Sequence, residues 1–201
     1  MFAQIPVELL VGNQRTTIDV LLIKGILDGE NTRTPWTFLN RTRASMDHAI
    51  TETERLPQFG FTQAVAYNHA SFGGFAPVVV VLIKNEGVYP KAGIEFVRST
   101  KNFTVFTWLV CRTTTMPDID YFLIARWYMP ALTERLRLFS QVETVNTLPT
   151  TTERSYSFTQ RFRLGIAWEH LQVGIGTDFQ QIGRASWHTT SNIGAFVRYE
   201  F

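Results

Sequence analysis

The stretch Tyr156 to Trp168, Y-S-F-T-Q-R-F-R-L-G-I-A-W, decides the fold class. Tyr156, Phe158, Phe162, Leu164, Ile166 and Trp168 fall on one side of a two-residue period, and Ser157, Thr159, Arg161, Arg163, Gly165 and Ala167 on the other. Successive side chains of a strand point to opposite faces, so this period predicts a β-strand with one apolar and one polar face. At about 3.3 Å rise per residue and a tilt near 45° the segment spans roughly 28 Å, close to the ~25 Å apolar band of a membrane barrel. Its first and last residues are aromatic, which suits the two interfaces of such a band.

The same pattern recurs along the chain. In Ser191 to Phe201, Ile193, Ala195, Val197, Tyr199 and Phe201 oppose Asn192, Gly194, Arg198 and Glu200. In Ile119 to Met129, the odd positions through Tyr121 and Trp127 oppose Asp120, Phe122, Arg126 and Tyr128. The longest apolar run, Ala76 to Ile83, falls well short of the roughly 18 residues of a membrane-spanning helix and contains Pro77.

Composition narrows the classes further. Charged residues make up 18% of the 201, below the roughly 25% of ordinary soluble domains, and 16 Phe, 5 Trp and 6 Tyr are too many for a disordered chain. A net charge of +2 without runs of like charge gives no reason to expect a nucleic-acid partner. Cys111 is the sole cysteine, so no internal disulfide or CxxC metal site can form.

Strands are expected near 4 to 11, 16 to 24, 34 to 45, 57 to 68, 74 to 84, 90 to 98, 102 to 112, 118 to 128, 133 to 144, 154 to 168, 170 to 179 and 191 to 201. The predicted fold is all-β: a transmembrane antiparallel up-and-down β-barrel, one domain over 1–201, with twelve strands, or ten if residues 1 to 11 do not pair. Pro6, Pro77 and the 25 to 33 turn are the weak points. With the termini on the periplasmic side, longer outer connections (46 to 56, 145 to 153, 180 to 190) alternate with shorter inner ones (99 to 101, 129 to 132, around Glu169). No intact signal peptide is present; residues 1–3 read either as the remnant of one, with Ala3 before the cleavage point, or as an ordinary start at Met1.

Arg126, Arg135, Arg137, Arg161, Arg163 and Arg198 are expected to line the lumen as a basic wall, with Asp120, Glu143, Asp178 and Glu200 as acidic partners. The Arg41 and Arg43 pair shares the polar face. An arginine wall suits a narrow channel favouring anionic solutes, whereas ion pairs filling a small lumen would be structural. Phe122, Phe139 and Phe196 also project inward, which favours a filled or constricted lumen. Trp36, Tyr121, Trp127, Tyr156 and Trp168 are assigned to the membrane girdles.

The ending Y-E-F, with Val197, Tyr199 and Phe201 on one face, resembles the C-terminal aromatic assembly signal of bacterial outer-membrane β-barrels. The stretch F-T-Q-R-F-R-L-G (Phe158 to Gly165) and its partner Val173 to Asp178 resemble small outer-membrane barrels of the Bacteroidota kind. The resemblance implies a bacterial outer-membrane location, outer-membrane lipid around the wall, and recognition by the barrel-assembly machinery. It brings no catalytic motif.

Candidate chemistry is sparse. His48, with Glu52 and Glu54 nearby, and His188, among Ser186, Thr189, Thr190 and Ser191, are the histidines placed to act as a general base. There is no G-x-S-x-G, and no two histidines have metal-ligand spacing. No cofactor, metal or catalytic residue is expected. Short loops favour an accessory or structural subunit docking on a larger outer-membrane complex; the alternative is a narrow anion-favouring porin-like channel, and a more remote one a lipid hydrolase.

Overall fold

A computed structural model describes residues 5–49, 58–85, 87–114, 117–131, 133 and 135–201. The side chains of Arg33 and Pro130 also lie outside that description, as do residues 1–3, expected either as a signal-peptide remnant or as an ordinary start, and Glu52 and Glu54, the expected neighbours of His48.

Twelve antiparallel strands close into one up-and-down barrel. They are β1 (Pro6–Gly12), β2 (Arg15–Leu27), β3 (Arg33–Asp47), β4 (Gln58–Tyr67), β5 (Phe75–Lys84) and β6 (Gly87–Ser99), followed by β7 (Phe103–Arg112), β8 (Asp118–Ala131), β9 (Leu136–Pro149), β10 (Tyr156–Trp168), β11 (Leu171–Gly183) and β12 (Trp187–Glu200). The short β1 closes the ring by pairing with β12 from Pro6↔Glu200 to Gly12↔Gly194, which settles twelve over ten.

The doubtful prolines sit where a ladder ends on one side. Pro6 opens β1, and pairing with β2 begins only at Val7. Pro77 faces Ile94 of β6, while pairing of β5 with β4 stops at Val78. Pro90 faces Val81, and pairing of β6 with β7 starts at Lys91. A residue without an N–H donor is tolerated at such positions.

The outer wall is apolar: Ile94, Ile175 and Ile193 are 58%, 65% and 60% exposed. Continuous apolar exposure of this kind belongs in hydrocarbon, and full closure leaves no strand edge unpaired there. An even-stranded closed barrel with an apolar exterior and a polar interior is the architecture of the bacterial outer membrane, and that is where this chain resides.

The aromatic residues form two bands. Trp36, Trp127 and Trp168 lie on the outer wall toward the end that carries the termini, with Tyr67, Phe103 and Tyr199. Tyr156 and Tyr121 lie toward the opposite end, where Tyr156 stacks with Phe158 and Trp187. Tyr67 packs edge-on to Trp36 at 4.9 Å.

The expected loop asymmetry is weaker than the sequence suggested. β11 runs to Gly183 and β12 starts at Trp187, so the 180 to 190 connection shrinks to three residues, and the 145 to 153 connection to 150–155. The polar residues at these strand ends, Gln180, Gln181, Thr189 and Thr190, continue the ladder beyond the apolar band instead of forming loops.

Candidate functional site

Inward-facing side chains divide the lumen into two unlike halves. On the side of β9 to β12 and β1 to β3, strand parity brings single charges inward. Arg161 and Arg163 of β10, Glu143 of β9, Asp178 of β11, Arg198 and Glu200 of β12, and Arg126 of β8 all face the interior. Glu8 of β1, Asp19 of β2 and Arg41 and Arg43 of β3 join them.

These groups form one ion-pair network. Arg41 donates from Nε to Asp19 at 2.9 Å and grips Glu143 with both terminal nitrogens, at 3.0 and 2.8 Å. Such a two-pronged contact is the strongest form of the pair. Arg161 also binds Glu143. Arg43 joins Asp19 to Asp178, and Arg163 joins Asp178 (2.8 Å) to Glu8 (2.9 Å). Arg198 pairs with Glu8 and donates to Gln141 at 2.9 Å, which accepts from Arg126 at 3.2 Å. Arg126 pairs with Glu200 at 3.0 Å.

Glycine makes room for this network at one point. Arg163 faces Gly176 directly across the β10–β11 ladder, and a Cβ at Gly176 would come within 2.8 Å of the Arg163 side chain. Between Glu8, Asp19, Arg41, Gln141, Glu143 and Arg198 there remains a void of about 20 Å³. That is room for a single water.

Beside these charges pack Phe139, Phe196 and Leu10, all essentially unexposed. Arg198 lies over the ring of Phe139 at 5.1 Å, and Tyr128 packs on Phe139 at 5.4 Å. Gln172 donates to Tyr128 and to Glu200, both at 3.0 Å.

The other half is an apolar cluster. Leu39, Ala64, Ala66, Ala76, Val78 and Val80 pack there with Phe106, Trp108, Val110, Phe122 and Ile124. Trp108 and Phe122 are 4.8 Å apart. Two charges of β6 enter this half: Lys91 pairs with Asp120, and Glu95 is buried with its Oε1 lacking a hydrogen-bond partner among the described residues.

Two of the expected wall residues fall outside the network. Arg135 precedes β9 in a turn, its side chain 71% exposed and 3.7 Å from Glu169, because β9 starts at Leu136, three residues later than the alternation implied. The assignment of Arg135 to the lumen is therefore corrected. Arg137 holds an inward register position opposite the buried Ala167, without an ion pair among the described residues. Asp120 faces inward too, but on the apolar side with Lys91.

Glu8, Asp19 and Lys91 were missed. Glu8 is the lone charge of the short β1, Asp19 stands in β2 between Arg15 and Lys24, and Lys91 shares β6 with Glu95 and Arg98; the alternation of each strand marks its residue as inward. Arg41 and Arg43 were seen on the polar face, but their central place in the network follows only from strand neighbours.

Each histidine has its own local setting among the described residues. His48 Nε2 is 2.8 Å from Thr16 Oγ1, and His69 caps a 3-10 turn (Ala70–Phe72) through Ser71. His170 lies in the turn before β11, against Tyr199. His188 pairs with Ile182 in the β11–β12 ladder and is exposed. No cluster of three metal-binding side chains occurs among the described residues. Cys111 lies exposed on the outer wall of β7. Val197 and Tyr199 face outward, and Phe201 exchanges two backbone hydrogen bonds with Ile5, both 3.2 Å.

Comparison with known proteins returns no matching family model and no matching curated protein. Among the solved structures similar to this chain are porins. A KdgM porin has a TM-score of 0.49 at 11% identity, covering 98% of this chain and 99% of the porin. The KdgM porin in complex with disordered oligogalacturonate gives 0.47 at 9%, covering 98% and 99%. A bacterial polysaccharide outer membrane secretin gives 0.44 at 7%, covering 99% and 98%. With TM-scores below 0.5 and about one residue in ten shared, neither solute nor role passes from them to this chain.

Proposed function

We propose that this outer-membrane barrel is a closed, structural subunit of a larger outer-membrane assembly, with a lumen sealed by paired charges. The observation that carries the reading is the network from Arg41 to Arg198, in which the guanidinium groups are engaged by carboxylates of other strands around a void of about 20 Å³. A conducting arginine ladder would present unpaired cations to a continuous aqueous path.

Lipid-facing amides support the docking role. Asn40 and Gln63 face each other across the β3–β4 ladder on the outer wall, midway along their strands. Polar side chains at that depth gain from a protein neighbour that supplies hydrogen bonds which lipid tails lack. In biogenesis, Val197, Tyr199 and Phe201 serve as the signal for the barrel-assembly machinery, as in the outer-membrane barrels of the Bacteroidota kind. The role requires no cofactor and no nucleic acid.

The second reading, a narrow anion-favouring channel, draws on a vestibule of about 830 Å³ at the end opposite the termini, lined in part by Arg15, Arg43, Arg161 and Lys84. Single-channel recording in a planar bilayer under a salt gradient separates the two. The subunit reading expects a folded, silent barrel, and a photo-crosslinker at Gln63 that captures a partner in intact membranes. Discrete anion-selective steps would replace it with the channel.

A further inference from the structure

A cavity of about 150 Å³ lies where the two halves of the lumen meet. Leu39, Val80, Trp108 and Phe122 line one side, and Arg41, Arg43 and Arg161 the other. Gly60 faces Arg43 directly across the β3–β4 ladder, and a Cβ at Gly60 would meet nothing within 4 Å. Arg43, Gly60 and Arg161 also line the vestibule of about 830 Å³, so they form the neck between the mouth of the barrel and this inner space.

Charge points the same way as shape. In the network that borders the cavity through Arg41, Arg43 and Arg161, six guanidinium groups (Arg41, Arg43, Arg126, Arg161, Arg163 and Arg198) are set against five carboxylates (Glu8, Asp19, Glu143, Asp178 and Glu200), leaving one positive charge in excess. The carboxylate that lines the cavity, Asp120, is neutralised by Lys91. An excess buried charge favours a counter-ion, and a space of about 150 Å³ bordered on one side by Leu39, Val80, Trp108 and Phe122 has room for an apolar group the size of benzene.

We propose that this cavity binds a monoanionic amphiphile: a carboxylate whose apolar end is a phenyl ring or a short alkyl chain. It enters through the vestibule, lays its apolar end against Trp108 and Phe122, and leaves its carboxylate at Arg43 and Arg161. Guanidinium groups match a carboxylate in charge and planar geometry. The proposal does not depend on the barrel being closed, because the ligand enters and leaves by one mouth.

Trp108 supplies the readout. It is the tryptophan that faces the lumen; Trp36, Trp127, Trp168 and Trp187 are each about half exposed on the outside or rim. The barrel in zwitterionic-lipid nanodiscs is titrated with ω-bromohexanoate, whose bromine quenches a nearby indole. Saturable quenching is expected, disappearing in Trp108→Phe. In Gly60→Leu, which fills the neck, and with neutral ω-bromohexanamide on the native barrel, affinity is expected to fall about tenfold or more. Quenching that rises linearly and persists in Trp108→Phe would be partition into lipid and would overturn the proposal. Equal affinity for the amide would overturn the assignment of an anionic ligand. Should Gly60→Leu fail to fold, the Trp108→Phe and amide arms decide alone.

Discussion

On the side of β9 to β12 and β1 to β3, the lumen is occupied by long charged side chains, most of them held by partners on other strands, with Arg137 the inward exception. On the β4 to β7 side it is filled by Ala, Val, Phe and Trp packed as in a soluble core. The first half depends on every partner being present, since removing one carboxylate leaves its arginines buried and uncompensated. The second depends on volume, and its losses scale with the space a truncation opens. Arg41 lies over the ring of Phe122 at 5.8 Å, where the halves touch. The strands of a barrel of this size can therefore bring two kinds of chemistry into one lumen.

The contrast breaks most sharply at Glu143, which is 1% exposed and pairs with both Arg41 and Arg161. Glu143→Leu should lower the stability of the refolded barrel by about 3–5 kcal/mol, read from its urea midpoint in detergent. A loss under 1 kcal/mol, roughly that of a solvated pair, would mean that the network is not a buried structural unit. On the apolar side, Phe106→Ala should cost about 3 kcal/mol and open a void detectable by xenon binding, with the ion-paired half unchanged.

Glu95 tests the boundary between the two halves. It is 2% exposed, opposite Ala76 and Trp108 in the neighbouring strands, with a buried oxygen lacking a partner among the described residues. Glu95→Gln should leave stability unchanged or raise it by about 1 kcal/mol, because no pair is broken. A clear loss would show that Glu95 is engaged in solution. The smallest effect is expected at Arg135, whose pair with Glu169 is exposed to solvent: Arg135→Gln should shift the midpoint by less than about 0.5 kcal/mol.

Much of the barrel was legible in the chain. In β8, β10 and β12, charged residues alternate with large apolar ones, so a single period assigns each side chain to lumen or lipid. β5 was not legible in that way: A-P-V-V-V-V-L-I is apolar on both faces because its lumen face is apolar too, and no period separates Val78 and Val80 inside from Val79 outside. The apolar half of the lumen was hidden for that reason. Arg135 was misplaced because alternation continues past the true start of β9, and only backbone pairing marks where a strand begins. Which arginine meets which carboxylate depends on the register around the ring, as with Arg41 and Glu143, 102 positions apart in sequence.

If the paired charges and the packed aromatic residues together seal the lumen, as proposed above, an uncharged solute reports it without the complication of ion selectivity. Proteoliposomes holding the native barrel should show no more swelling in isosmotic arabinose than protein-free liposomes. A swelling rate that rises with the amount of barrel incorporated would contradict the claim and place an open path beside the network.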